Sequence, residues 1–532
     1  MNLLVFISFW VFTGLVALIA AYKTRKDKLQ TSVAYFLGNR SFGCWMIGAS
    51  LFLTNMSANQ FIGENEYVYT NDMTVMCWGM SSIVAMIIVA EFVMPIYLKI
   101  GAVTTPDFLG KRFDGQTKRM VSVIFLLGYL INLIPSVLYG SAVALNGIFH
   151  VDGLLDISYL SAIRIVVVFV GVVGGLYTML GGLKAITISD VVQGVGMLIG
   201  GVLITWFGFE KVGHGSVLAG VHSVIHEHKE HLNAIGNASH SLPFSTLFTG
   251  MLLINIYYWG MEQYIVQETL ASKSLDACQK GVSLACAGKL IAPFLLNVPG
   301  LIALQLYPHV DNTATIFPRL IVDILPPIMA GFIGAIVFGG ALSTFNAGLN
   351  SIGTLFVMNL YKPWLEKKKE ADDEHKLLVA GRRFQLLVIV LAMCFSPYIM
   401  FFKGGFYNYL QKVSSFFSVP VFTVMIVGFL TKKVPAIGAK IGLVFFVTMY
   451  VLTQFVIDTG IHYLHVLGIL FVATTIIMLL VGKIKPLRNP YRLTDASVVN
   501  IQPWKGRYWI FSLLIVAMIL MFMLFSPLGI AK

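Results

Sequence analysis

Three groups of polar side chains interrupt apolar stretches of this sequence, and their residue types suit the binding of a ligand. From Thr54 to Gln60, five of seven side chains are polar. From Ser343 to Thr354, small hydroxyl and amide side chains recur every three to four residues among glycines. From Asn255 to Gln263, amides flank two tyrosines and a tryptophan. These three segments are the candidate ligand-binding segments of the chain.

Each segment predicts a different kind of contact. A break in a helix at 54–60 would free backbone carbonyls to face a cavity or a ligand, and the hydroxyls of 343–354 would add hard oxygen donors for an alkali cation. The aromatic rings of 255–263 could stack on a sugar while the amides bind its hydroxyls. The structural alternatives stay open: packing between tilted helices, glycine-rich helix packing, and an aromatic belt at the membrane interface.

The elements that must position these segments are predicted to be membrane helices. Of the 532 residues, 57% are hydrophobic and 12% are charged, whereas a soluble domain carries about 25% charged residues. A bilayer core needs about 20 mostly apolar residues per helix. The sequence contains about fourteen such stretches, at 2–22, 43–63, 72–98, 119–149, 158–181, 187–209, 244–267, 279–307, 324–361, 380–402, 406–430, 434–457, 459–481 and 507–527. We therefore expect an all-α integral membrane protein surrounded by lipid, and exclude a soluble or disordered one.

Lysine and arginine set the expected orientation. Most of the 37 basic residues fall in alternate connecting segments, which is typical of cytoplasmic loops. This distribution predicts that the N-terminus and the C-terminus are both outside, and it accounts for the net charge of +12 without a nucleic acid partner. Six of the eleven histidines lie between His214 and His240, which indicates a solvated external loop or, as the alternative, a metal-binding tract.

The interrupted stretches 43–63 and 244–267 each begin a group of five predicted helices. Such a pairing is typical of secondary transporters built from inverted repeats. We expect an N-terminal helix and linker at 1–42, a first repeat at 43–209, an external His-rich loop at 210–243, a second repeat at 244–430 and C-terminal helices at 431–532. The membrane stretches hold only scattered titratable residues, so a membrane enzyme is disfavoured, and no cofactor is predicted.

Three segments resemble signatures of the sodium/solute symporter family. Gly48–Gly63 resembles its first core helix, Leu180–Gln193 resembles its glycine-rich turn between helices 4 and 5, and Ser343–Ser351 resembles its helix 8 signature. The likeness runs in order from about residue 30 to residue 430. Further segments are similar to bacterial sodium/sugar symporters of the galactose type, namely Tyr257–Gly260, Gln263–Ile265, Gln279–Gly281 and Lys289–Ile291.

The resemblance implies a leucine-transporter-type core of five plus five helices in inverted repeat, with one extra N-terminal helix and three extra C-terminal helices. It also implies sodium as the coupling ion, held by the backbone carbonyls of Leu53, Met56 and Gly340 and by the hydroxyls of Ser343 and Thr344.

Asp190 matches a family acid that assists sodium release. The alternative is structural, since Asp190 falls in the first turn of the predicted helix 187–209, and a carboxylate is favourable near a helix N-terminus.

The resemblance further implies a sugar site. Its substrate-binding residues are Asn55, Gln60, Asn255, Lys289 and Gln411, and its aromatic gates are Tyr258 with Trp259 on the inner side and Tyr407 on the outer side.

Two positions depart from the galactose-type pattern. A pair of sugar-contacting glutamates falls at Asn59 and Gly79, and Trp78 replaces a tyrosine. Glu64 and Glu66 are nearby acids, but the sequence does not place them in the site.

The sequence thus predicts a sodium-coupled symporter that imports a neutral hexose, such as galactose or glucose, across the bacterial cytoplasmic membrane. A neutral sugar is favoured over sialic acid because the middle of 119–149 has no arginine for a carboxylate. The alternatives are another solute (sialic acid, inositol, an amino acid or a vitamin) and a sodium/sugar sensor that does not concentrate its ligand. The sodium-to-sugar ratio and the oligomeric state are left open, with a monomer among the alternatives.

Overall fold

The computed structural model describes residues 3–24, 32–56, 58–367, 374–402, 405–457 and 459–532. Within these ranges, the side chains of 32–34, 58, 179–182, 184–185, 367, 405–408, 412 and 455 are outside the description. The regular structure of the described residues is helical, and strand-like pairing among them is limited to two isolated bridges, Phe42 with Ser272 and Ser274 with Asn500.

The described residues of the first half of the chain form twelve α-helices. They are α1 (Leu3–Thr24), α2 (Ser32–Leu37), α3 (Cys44–Asn55), α4 (Ala58–Thr70), α5 (Met76–Ile88), α6 (Met94–Lys99), α7 (Pro106–Arg112), α8 (Gly115–Gly128), α9 (Ile134–Phe149), α10 (Val151–Leu155), α11 (Tyr159–Val212) and α12 (Val217–Glu227).

In the second half, the part of the chain that the structure describes forms another twelve. They are α13 (Gly250–Gly260), α14 (Gln263–Leu270), α15 (Leu275–Leu296), α16 (Val298–Leu306), α17 (Ile316–Ile324), α18 (Pro327–Phe356), α19 (Lys362–Lys367), α20 (Glu374–Phe395), α21 (Gly405–Leu430), α22 (Ala436–Val451), α23 (Tyr463–Ile484) and α24 (Arg507–Leu524). Short 3-10 turns lie at Gly38–Arg40, Met73–Val75, Lys229–Leu232, Phe244–Phe248, Thr313–Thr315 and Ser396–Phe401.

Twelve helical stretches of the described residues are long and apolar enough to cross a membrane. The two predicted stretches that are not among them, 43–63 and 244–267, are each broken into two short helices. The first break, between α3 and α4, falls within the polar segment 54–60 that the sequence singles out. The second, between α13 and α14, lies at Met261 and Glu262.

Prolines account for three irregular turns in the long helices. Five-residue π-helical turns occur at Val89–Val93, Tyr129–Leu133 and Val357–Tyr361, and a proline follows each two residues after its end. A proline has no N–H to bond the carbonyl four residues earlier, and that carbonyl lies in the middle of each turn. At Tyr129–Leu133 the carbonyl left free is that of Ile131, and it accepts a hydrogen bond from the Tyr409 hydroxyl at 2.7 Å.

The buried centre of the fold is α18, which packs against α1, α9 and α11. Gly331 permits the contact with α1, since a Cβ there would lie 2.2 Å from the Val5 carbonyl oxygen. Gly281 permits the close contact of α15 with α3, because its Cβ would lie 2.7 Å from the Cβ of Ile47. Small residues therefore bring α3 and α18, which carry the predicted site, close to their neighbours.

The helix that contains Asp190 differs from the prediction. The sequence suggests two helices, 158–181 and 187–209, whereas helical structure runs without interruption from Tyr159 to Val212 in α11. Asp190 therefore lies inside a helix whose N-cap is Ser158. The structural alternative, in which Asp190 stabilises a helix N-terminus, is wrong.

Candidate functional site

The two helix breaks lie side by side in the middle of the molecule. Helix α3 ends at Asn55, and Met56 leaves the helical conformation with ψ of 65°. Helix α13 ends at Gly260, and the N–H groups of Met261 and Glu262 both donate to the Tyr257 carbonyl. Asn55 Nδ2 donates to the Tyr258 hydroxyl at 3.1 Å, so the ends of α3 and α13 are in direct contact.

A cavity of about 200 Å³ opens at this junction. The cavity is lined by all five residues predicted to bind substrate, namely Asn55, Gln60, Asn255, Lys289 and Gln411. Tyr258, Trp259 and Thr344 line it as well. The side chain of Tyr407, the predicted outer gate, lies outside the described part of the chain. The structure therefore brings together every predicted substrate-binding residue.

Lys289 is the cationic residue of this cavity. It lies on α15, is buried with 3% of its surface exposed, and donates a hydrogen bond to Asn55 Oδ1. Its Nζ also lies 5.7 Å from the centre of the Trp259 ring, within the range of a cation–π contact. The amide of Asn55 thus bridges Lys289 and Tyr258.

The cavity is also lined by two acids that the sequence did not place in the site. Glu64 lies one helical turn beyond Gln60 on α4 and accepts a hydrogen bond from Asn297 Nδ2 at 2.9 Å. Glu262 lies at the break between α13 and α14 and accepts a hydrogen bond from the Tyr129 hydroxyl. The spacing of four residues from Gln60 is the signal that could have identified Glu64, because residues i and i+4 share a helix face.

Several polar atoms at the cavity wall have no protein partner. Among the described residues, Asn59 Oδ1, Gln60 Oε1 and Trp78 Nε1 are buried without a hydrogen bond, and all three residues line the cavity. A buried polar atom without a partner costs about 1–3 kcal/mol. The cavity is therefore suited to a ligand with several hydroxyl or other polar groups.

The inner wall of the cavity is aromatic. The Tyr258 hydroxyl accepts hydrogen bonds from Asn55 and, at 2.9 Å, from the Tyr264 hydroxyl. Trp259 packs edge-on against the Tyr258 ring with centres 5.2 Å apart. Tyr257 stacks on Phe125 from α8. These side chains offer apolar ring faces beside amide groups. The arrangement suits a ligand whose own ring has one apolar and one polar side.

Two of the residues predicted to bind sodium, Ser343 and Thr344, contact α3 next to this cavity. Thr344 Oγ1 on α18 donates to the backbone carbonyl of Thr54 at 2.8 Å and lies 3.3 Å from the Gly340 carbonyl oxygen. Ser343 Oγ lies 3.2 Å from Thr54 Oγ1. The α3 carbonyl in contact with Thr344 is that of Thr54, which lies between the predicted Leu53 and Met56. Leu53 and Met56 are both buried at the same end of α3.

Asp190 is buried on α11 close to this group. The Ser50 hydroxyl on α3 donates to Asp190 Oδ2 at 3.1 Å. The contact places Asp190 one turn along α3 from Thr54. An acid is thus adjacent to the predicted cation site, although the sequence alone could not give the distance.

Comparisons with known proteins agree on one family. The sequence profile of the sodium:solute symporter family matches residues 35–445. An uncharacterized symporter of Escherichia coli (strain K12), YidK, is 38% identical over 95% of this chain and 88% of its own length. The sodium/glucose cotransporter of Vibrio parahaemolyticus is 30% identical over 82% of this chain and 83% of its length. Sodium/glucose cotransporter 1 of Ovis aries is 27% identical over 92% of this chain and 80% of its length.

Solved structures share the fold. A Na⁺-coupled sialic acid symporter in a substrate-bound, outward-open state superposes with a TM-score of 0.78 at 19% identity, over 92% of this chain and 99% of that one. Mhp1, a nucleobase-cation-symport-1 family transporter in a closed conformation, gives a TM-score of 0.58 at 15% identity, over 85% of this chain and 95% of that one. At these identities the likeness concerns the helical fold alone.

Proposed function

Since this chain belongs to the sodium:solute symporter family, and is therefore a multi-pass membrane protein, we propose that it imports a neutral sugar together with sodium across the bacterial plasma membrane. A hexose such as galactose or glucose is the expected solute. The observation that carries this proposal is the cavity at the two helix breaks, where buried polar atoms of Asn59, Gln60 and Trp78 have no partner among the described residues and lie beside an aromatic wall.

The charges of the cavity favour a neutral solute. Its described lining contains two carboxylates, Glu64 and Glu262, and one ammonium group, that of Lys289, which already donates to Asn55. A solute with a carboxylate would meet two acids and no arginine among these residues. A sugar, by contrast, offers hydroxyl groups. They can donate hydrogen bonds to carboxylate and amide oxygens and accept hydrogen bonds from amide and indole N–H groups.

The proposed roles follow from position in the cavity. Asn55, Gln60, Asn255, Lys289 and Gln411 bind the sugar. Tyr258, supported by Trp259, closes the cavity on the inner side, and Tyr407 closes it on the outer side.

Sodium would couple to the sugar through the contact between α3 and α18. The proposed ligands are the carbonyls of Leu53, Met56 and Gly340 and the hydroxyls of Ser343 and Thr344, with Asp190 assisting release. Thr344 touches α3 one residue before Asn55, and Asn55 lines the sugar cavity. An ion that fixes the distance between α3 and α18 would therefore also fix the position of a sugar-binding side chain.

We propose the corresponding architecture for the whole chain. Segments 43–209 and 244–430 form the two inverted repeats, 1–42 and 431–532 are the added N-terminal and C-terminal parts, and 210–243 is an external loop, with both termini outside. In this orientation, one sodium ion entering down the membrane potential supplies about 2.3 kcal/mol per 100 mV. That corresponds to roughly 50-fold accumulation of sugar at one sodium per sugar, since 1.36 kcal/mol is tenfold.

The proposal is tested by uptake into proteoliposomes with an imposed inward sodium gradient. Labelled galactose, glucose, inositol, sialic acid and amino acids are compared at equal concentration. Concentrative uptake of a neutral sugar is the expected result. Concentration of sialic acid or an amino acid instead would overturn the choice of solute, and saturable sugar binding without accumulation would indicate a sensor.

A further inference from the structure

Glu64 is an acid of the sugar cavity whose carboxylate the protein bonds only in part. It lies on α4, is buried with 7% of its surface exposed, and lines the cavity. Its Oε2 accepts a hydrogen bond from Asn297 Nδ2 at 2.9 Å, whereas its Oε1 makes no hydrogen bond to a described residue. Both oxygens of a carboxylate can accept hydrogen bonds, and an acceptor that is left unbonded in a buried site is unfavourable. Oε1 is therefore available to a ligand in the cavity.

The other acid of the cavity, Glu262, is already bonded by aromatic side chains. Its carboxylate accepts a hydrogen bond from the Tyr129 hydroxyl, and the Tyr257 hydroxyl lies beside it. These tyrosines come from the wall of the cavity itself. Of the two carboxylates, Glu64 is thus the one that the protein leaves open to a solute.

Helix α15 positions Glu64 relative to the rest of the site. Two of its side chains reach the two halves of the first broken helix. Lys289 donates to Asn55 at the end of α3, and Asn297, the C-cap of α15, donates to Glu64 on α4. The Lys289 ammonium group also attracts the Glu64 carboxylate. Glu64 is thereby held by the helix that carries a proposed sugar ligand.

Glu64 shares one face of α4 with Gln60. The two residues are four positions apart, so their side chains lie on the same side of the helix, and both line the cavity. Gln60 Oε1 is buried without a partner among the described residues. This face of α4 therefore presents two acceptor oxygens, one of them charged, that need hydrogen-bond donors. A sugar hydroxyl is such a donor, whereas a hydrogen or fluorine atom in its place is not.

We propose that Glu64 binds a sugar hydroxyl through Oε1 and selects among sugars by requiring a donor hydroxyl at the position that faces it. The inference rests on the proposed sugar transport and deepens it, because Glu64 is none of the five residues assigned to the sugar. A hydrogen bond to a charged group contributes about 10- to 150-fold in affinity. A site built for such a hydroxyl strongly rejects an analogue that lacks it.

The test is equilibrium binding of labelled galactose or glucose to the purified full-length protein in sodium. The label is displaced by a series of analogues in which each sugar hydroxyl in turn is replaced by fluorine. In the wild type, we expect one position at which the fluoro analogue binds about 10- to 150-fold more weakly than the parent sugar. In Glu64→Gln this penalty should shrink about tenfold or more, because the amide N–H group can donate to fluorine while the amide oxygen still accepts from Asn297.

Glu66→Gln is the matched control. Glu66 lies on the same helix, is 8% exposed and accepts a hydrogen bond from Thr313 at 2.6 Å, but it does not line the cavity. Its analogue series should match that of the wild type. Glu64→Asp is the second variant if Glu64→Gln is unstable. It withdraws the carboxylate by one methylene and should reduce the penalty at the same position.

The outcomes separate a sugar contact from a structural role. If Glu64 only holds α4 against α15, Glu64→Gln and Glu64→Asp should change the affinity for every analogue by the same factor. Such a uniform change would overturn this inference and leave the proposed sugar transport intact, as would a wild type that shows no position-specific penalty. A wild type that binds no sugar would overturn the proposed function and this inference with it.

Discussion

Asn55 and Tyr258 are joined by a hydrogen bond of 3.1 Å, and this contact connects the last turn of α3 to the last turns of α13. The Lys289 ammonium group holds the other end of the same amide. The side chain of Asn55 is therefore fixed on both sides before any solute binds. Such a fixed amide lowers the conformational entropy lost on binding.

Replacement of Tyr258 separates the two contributions of its side chain. Tyr258→Phe keeps the ring but removes the hydroxyl that orients Asn55, so apparent sugar affinity should fall by about 2- to 12-fold, the range of one hydrogen bond. Tyr258→Ala also removes the aromatic wall and should abolish sugar retention. The measurement is sugar affinity and the rate of release into sodium-free buffer. Equal effects of the two substitutions would show that only the hydroxyl matters and that Tyr258 does not act as a gate.

The amides Gln60 and Gln411 should determine sugar affinity. Each truncation to alanine leaves sugar hydroxyls without partners in a desolvated cavity, at about 1–3 kcal/mol, which corresponds to roughly 5- to 150-fold weaker apparent affinity. Sugar uptake is measured over a concentration series. Gln385→Ala is the control, because Gln385 is buried with an unpartnered oxygen but does not line the cavity. Normal transport by both Gln60→Ala and Gln411→Ala would exclude this cavity as the sugar site.

The hydroxyl of Thr344 should affect sodium first and sugar second. Thr344→Ala removes one proposed ligand, so the sodium concentration for half-maximal uptake should rise about 2- to 12-fold. Because the two ligands are linked, sugar affinity should fall at low sodium and recover at high sodium. Thr344→Ser retains the oxygen and should behave like the wild type. A loss of sugar affinity that high sodium does not restore would place Thr344 in the sugar site alone.

Asp107, in the segment between two membrane stretches, gives a prediction for pH. Burial alone would raise the pKa of Asp107, but the Lys118 ammonium group at 2.7 Å and the N–H groups of Val103 and Thr104 outweigh it and lower the pKa. A carboxylate with a lowered folded-state pKa stabilises the fold above its ordinary value of about 4, and this contribution disappears as the pH falls through the folded-state pKa.

Asp107→Asn should therefore lower the thermal unfolding midpoint at pH 7 by the equivalent of about 1–3 kcal/mol, and the difference from wild type should narrow in acid. Asp276→Asn is the comparison, because its pair with Lys280 is about 40% exposed and such surface pairs contribute about 0–1 kcal/mol. If Asp107→Asn and the wild type have the same thermal unfolding midpoint at pH 7, the Asp107 carboxylate does not stabilise the fold.

The sequence predicted the part of the site that depends on local composition. The polar run at 54–60 marks the first helix break because carbonyls and amides are not tolerated in lipid unless they face a cavity or a partner. The position of Gln60 then places Glu64 one turn further along α4, a relationship that follows from helical spacing. The helix count near fourteen was less informative, since two of the predicted stretches are broken helices and twelve stretches of the described residues are long and apolar enough to cross a membrane.

The remaining features depend on tertiary contacts that no local pattern contains. Asp190 and Glu268 are 78 positions apart, and only the packing of α11 and α14 against α3 brings them to the hydroxyls of Ser50 and Thr54, which lie one turn apart on α3. Glu262 is likewise placed by the Tyr129 hydroxyl, which reaches it from the π-helical turn that precedes Pro135.

Sodium is proposed to drive sugar uptake by this chain, and exchange of the external cation tests this coupling most directly. Initial uptake of labelled galactose or glucose is measured in proteoliposomes with external sodium, potassium or choline, at the same pH and at a clamped membrane potential. We predict concentrative uptake with sodium and only leakage with potassium or choline. Uptake that is unchanged when sodium is replaced would show that sodium does not drive sugar transport by this chain.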